Sequence, residues 1–145
     1  MMTRIIIIVF SLLAILSLKA GAYSEQLVIV VHKDTPIESL TKSEVIDIFM
    51  GKYTAYPNGQ KALAVELTDQ HTLKERFYRQ LIGRSVASVN AYWARLKFAG
   101  RKRNAEVKDT QDEVIEYLRT TPLSIGYITV AKLDDNLKVV YQIDE

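Results

Sequence analysis

The stretch from Ala62 to Gly83 constrains the fold more than any other part of the chain, because an apolar run of strand length leads there straight into helix-start signals. Ala62-Leu63-Ala64-Val65-Glu66-Leu67 is nearly continuous in apolar residues, the pattern of a strand covered on both faces. Asp69 or Thr72 is placed to cap the helix that follows, and Thr72 with Glu75 three residues on makes a capping box. Leu73, Phe77 and Leu81 recur at four-residue spacing, so one face packs inward, and Gly83 supplies the stop. A helix that begins at the carboxyl end of a strand presents unpaired N–H groups and partial positive charge, a generic seat for an anion. Function is expected at this junction.

The chain opens with Met1-Met2-Thr3-Arg4, an apolar run from Ile5 to Leu18, and then Lys19-Ala20-Gly21-Ala22. That is the three-part layout of a secretory signal peptide cut before Tyr23, so residues 1–22 are expected to be removed and residues 23–145 to form the exported, periplasmic domain. A spanning helix needs about 20 apolar residues, more than this run supplies. Loss of Arg4 and Lys19 lowers the basic count from 19 to 17, equal to the 17 acidic residues. A near-neutral domain argues against a nucleic-acid partner bound through an overall positive field. The length fits one domain. With no cysteine there are no disulfides and no thiol chemistry.

The remaining elements follow from local pattern. Leu27-Val28-Ile29-Val30-Val31 predicts a central strand, and a capping box of Thr41 and Glu44 leads into Val45, Ile48 and Phe49 with Gly51 as stop. Pro57-Asn58-Gly59 marks a turn, flanked by Tyr53 and Tyr56, which are either ordinary loop tyrosines or part of a contact surface. Ser85 caps a helix whose Val86, Val89, Trp93 and Leu96 form an inward face, which makes Trp93 most simply a core residue, with ligand stacking as the alternative. Arg101-Lys102-Arg103 reads as a solvated loop, or as a docking patch for an acidic partner or anionic headgroups. Thr110 and Glu113 make a third capping box and Pro122 ends that helix; strands are predicted at Ser124–Val130 and Leu137–Tyr141, the latter at an edge. Strands alternating with helices imply an α/β domain: about four strands in a mostly parallel sheet, with helices on both faces.

No nucleophile motif accompanies His71 and Asp69, so no enzymatic activity is expected, and His32 with His71 makes no zinc motif. No cofactor is implied.

Taken in order, Ile48-Phe49-Met50-Gly51-Lys52, Tyr56-Pro57-Asn58-Gly59, Arg76-Phe77-Tyr78, Ala91-Tyr92-Trp93-Ala94-Arg95 to Phe98-Ala99-Gly100, and Ser124-Ile125-Gly126-Tyr127-Ile128 resemble the phosphate-binding component of bacterial phosphate ABC transporters, in the type II periplasmic binding protein superfamily. The resemblance implies a single lobe of that fold, a short member without the first lobe. Aligned on Phe77, Asp69 takes the family's acidic position, Gln70, His71, Thr72 and Leu73 stand at its Gly-Ser-Gly-Thr positions, and Leu67 replaces its arginine. It thus implies Asp69, Gln70, His71 and Thr72 as ligand-binding residues for phosphate or a similar small oxyanion, with a membrane transporter as partner. The alternative is a ligand-free periplasmic module that docks to a membrane sensor or envelope complex.

Overall fold

The computed structural model describes residues 25–144, so the expected signal peptide lies outside the described residues. In chain order the elements are β1 (Leu27–His32), α1 (Lys42–Phe49), β2 (Leu63–Leu67), α2 (Thr72–Ile82), α3 (Val86–Phe98), β3 (Glu106–Lys108), α4 (Gln111–Thr120), β4 (Ser124–Thr129), a single 3-10 turn at Val130–Lys132, and β5 (Leu137–Gln142). The strands form one sheet in the order β3-β2-β4-β1-β5, five strands among the described residues where about four were expected. β2 pairs in parallel with β3 and β4, while β1 pairs antiparallel with both β4 and β5. Four strands therefore share one direction and β1 alone runs against them. β1, the first described strand, is inserted between β4 and β5, the last two in sequence.

Helices cover both faces, and β4 shows how. Successive residues of a strand point to opposite sides. Tyr127 faces α1 and α2: its ring stacks on Phe77 at 4.0 Å between centroids, and Phe77 meets Phe49 edge-on at 4.9 Å. Gly126 faces the other way, where a Cβ would lie 2.9 Å from Val65 Cγ1 and 3.2 Å from Val114 Cγ1 of α4. The missing side chain lets α4 settle close against the sheet.

The capping boxes at Thr41/Glu44 and Thr110/Glu113 form as the sequence predicts. At α2 the cap is different. His71 is the N-cap residue and its Nδ1 accepts the Leu73 N–H at 3.2 Å. Glu75 is occupied elsewhere, accepting from the Val86 N–H at 2.8 Å and pairing with Arg79 at 2.7 Å, so the expected Thr72/Glu75 box does not form. Leu73, Phe77 and Leu81 are buried, and Gly83 closes the helix in the left-handed conformation. Tyr56 is fully buried and donates its hydroxyl to the carbonyl oxygens of Leu123 and Ser124. It is a core residue, which leaves Tyr53 as the exposed tyrosine of that loop.

Candidate functional site

β2 delivers the chain to the junction. Thr68 N–H donates to Lys108 O of β3 at 2.9 Å, and His71 N–H donates back to Thr68 O at 3.0 Å, so residues 68–71 form a tight turn between strand and helix. Over this turn lies an open depression of about 330 Å³, lined by Asp69, Gln70, Lys74, Asn90, Arg103 and Val107 together with Thr68. Asp69 and Gln70 thus belong to its wall. His71 is half-buried and committed to the cap; Thr72 is exposed on the first turn of α2, and neither lines the depression. Lys74 N–H is taken by His71 O at 3.0 Å, and Leu73 N–H by the His71 ring. The N–H groups of Asp69, Gln70 and Thr72 meet no acceptor among the described residues.

The charges here are internally matched. Asp69 accepts from Lys74 Nζ at 2.8 Å and from Asn90 Nδ2 at 2.7 Å. The Lys74 ammonium, helped by Asn90 and the more distant Arg103, holds the Asp69 carboxyl below the usual carboxylate range against a partial desolvation. Beneath them Glu66 is fully buried in β2 and receives the Tyr78 hydroxyl and the Arg103 guanidinium, which also donates to Tyr78 Oη at 3.1 Å. Burial opposes the Arg103 charge, but Glu66 outweighs it and raises the pKa of the guanidinium. Burial, reinforced by Glu66, pushes the Tyr78 hydroxyl far up, so it stays a donor. Beyond Ala64, where the β2–β4 ladder ends, Tyr127 Oη accepts the Leu67 N–H at 3.1 Å.

Sequence reasoning located the junction but missed Lys74, Asn90 and Arg103. Leu67 does stand where the resemblance expects an arginine, yet a guanidinium reaches the same neighbourhood from Arg103, in the loop before β3. One signal pointed there: Glu66 is the lone acid in an apolar strand, and a buried carboxylate requires a cation or donors. Among the described residues no group of three or more His, Cys, Asp or Glu side chains is arranged to hold a metal ion.

No family model matches the chain, and no curated protein matches it. Solved structures do. A protein described as a phosphate ABC transporter substrate-binding protein from Clostridium perfringens, with phosphate bound, superposes at a TM-score of 0.65 with 19% identity, over 79% of this chain and 44% of its own. An ABC-type phosphate transport receptor from Vibrio cholerae gives 0.61 and 16%, over 79% of this chain and 45% of its own. PstS from Borrelia burgdorferi gives 0.61 and 17%, over 79% and 46%. The chain therefore has the fold of one lobe of these substrate-binding proteins, and spans less than half of their length.

Proposed function

We propose that this chain is a non-enzymatic, exported solute-binding lobe that offers half of a cleft to a small phosphate-like oxyanion, and that it serves a membrane ABC transporter. In this reading residues 1–22 direct export to the periplasm and are removed. The observation that carries it is the depression at the carboxyl end of β2, in a fold shared with proteins whose names specify phosphate, with the unpaired N–H groups of Asp69 and Gln70 in its wall and that of Thr72 on the helix turn beyond it. These N–H groups, the Thr72 hydroxyl and the Asn90 amide are neutral donors suited to anionic oxygens. His71 contributes by fixing the turn from which the amides project.

Asp69 sets the selectivity. As a carboxylate it is an acceptor only, so it repels a fully ionised oxyanion and accepts a hydrogen bond from one that still carries a proton. Hydrogen phosphate has such a proton at neutral pH, and sulfate does not. Because Lys74 and Arg103 are already matched by Asp69 and Glu66, no uncompensated cation stands at the site. The isolated lobe should therefore bind weakly, with Kd near 1 mM, about −4 kcal/mol.

Calorimetric titration with phosphate, sulfate and acetate tests this. Phosphate should give saturable heat where sulfate gives none, and Thr72→Val or Asn90→Ala should weaken the response more than His32→Ala does. Silence toward all three anions, or equal heats from sulfate and phosphate, would overturn the reading.

A further inference from the structure

We infer that the groove between Trp93 and the loop before β3 is a docking site for an acidic peptide segment of a partner protein, which seats one apolar side chain in the groove and lays carboxylates on its rim. This groove, about 260 Å³, lies at the amino-terminal end of β2, whereas the depression over Asp69 lies at its carboxyl end. The inference therefore does not depend on oxyanion binding.

The floor is apolar, made by the buried side chains of Phe49, Ala62 and Ala64. One wall is Trp93, whose placement is closely determined. Gly51, at φ +68°, leaves room for the indole, since a Cβ there would lie 2.3 Å from Trp93 Cη2. The Arg103 guanidinium lies over the ring at 5.4 Å from its centroid, held from behind by Glu66. The Trp93 indole N–H and the Arg103 Nε–H are buried without an acceptor among the described residues.

The rim is one-signed. Lys61, Arg101 and Lys102 line the groove, are exposed, and have no carboxylate partner among the described residues, and no acidic residue lines the groove with them. Arg101 reaches back to Gly51 O at 3.0 Å, which fixes its guanidinium at the rim. Other exposed cations such as Arg84 and Lys97 also lack a carboxylate partner among the described residues, so what sets the rim apart is that three such charges stand around one slot. Local positive charge around a slot with an apolar floor is complementary to an acidic segment with an apolar anchor. The volume is below the range of about 300–1,000 Å³ typical of small-molecule sites and suits a single inserted side chain. A flat headgroup plane does not fill a concave slot, which favours a peptide over a membrane.

Trp93 is the only tryptophan, so its emission reports on this wall. The probe is a capped seven-residue peptide, one phenylalanine flanked on each side by three acidic residues, titrated into the full chain. Because Arg103 over the Trp93 ring also lines the depression, the titration is repeated with phosphate present and should be unchanged. It should shift Trp93 emission saturably, and raising the salt or introducing Arg101→Glu with Lys102→Glu should each weaken binding roughly tenfold or more. Lys61→Glu is an independent variant should the double variant fail to fold. Phosphate heats should be unchanged in all of them, which separates this surface from the oxyanion site. An equal response when the phenylalanine is replaced by alanine, no response at about 1 mM peptide, or a response to phosphatidylglycerol vesicles alone would overturn the inference.

Discussion

A carboxylate wholly removed from water in the middle of a strand is stable only where its charge is met, and Glu66 is met twice, by the Tyr78 hydroxyl and by Arg103. Removing the cation leaves the charge buried and unanswered, which in such pairs costs about 3 kcal/mol or more. Arg103→Met should therefore destabilise the fold by about 3 kcal/mol in urea denaturation, and Glu66→Gln added to it should recover more than half of that loss. Simple additivity of the two substitutions would show that the pair is not coupled. The same pair marks the limit of sequence reading at this scale. A lone Glu in Ala-Leu-Ala-Val-Glu-Leu signals that a partner exists, but nothing in a linear sequence says that the partner is 37 positions away in a loop of three consecutive cations. Likewise the helix start was legible from Asp69 to Thr72, whereas Lys74 and Asn90 reach Asp69 from a helix interior and from the next helix.

At the scale of elements, short-range signals were reliable where nothing competed for the residues involved. Thr41/Glu44 and Thr110/Glu113 form boxes because no distant group draws those glutamates away from their own helix start, Glu113 accepting the Asp109 N–H as well as that of Thr110, while Glu75 is drawn to the start of α3 and the His71 ring takes over the cap. β3 was hidden because it is three residues long, carries charges at both ends, and leaves Val107 exposed, so no period-two pattern exists to be read. Trp93 was expected in the core from its helical spacing; it packs beside the core but also walls a groove, a distinction that depends on how α1 ends. That ending rests on Gly51. With a positive φ and the indole of Trp93 against it, Gly51→Ala combines backbone strain with a steric overlap that the rigid ring cannot relieve by a small shift. The variant should lose roughly 2 kcal/mol and shift Trp93 emission, whereas Gly59→Ala, with open space around it, should leave the emission unchanged despite its own strained φ. Identical spectra for Gly51→Ala and the parent chain would show that this glycine does not position the tryptophan.

At the scale of the whole molecule, the first and the last two described strands lie side by side in one open sheet. The alternation of strands and helices predicts a mostly parallel sheet, and four strands do share a direction; β1 is the exception because it pairs with β4 and β5, about a hundred residues away in sequence, and not with β2. Leu27 to Val31 are fully buried between those neighbours, with α4 contacting the sheet on one side and the Phe49–Phe77–Tyr127 rings on the other. Such a strand has no route to exchange with solvent short of global opening, whereas β3 is a short, exposed edge with one neighbour. Native-state hydrogen exchange should therefore show β1 and β4 amides opening only with global unfolding, and the β3 amides exchanging at least about a hundredfold faster, a difference of about 2.7 kcal/mol in opening free energy. It should also show β5 protected with β1, since its inward residues Leu137 and Val140 are buried and its loss would uncover the edge of β1. That pattern would mean that β1, β4 and β5 open as one cooperative unit held by contacts within this chain. Equal protection of β3 and β1, or β5 opening independently of β1, would mean instead that the sheet is completed by something beyond this chain.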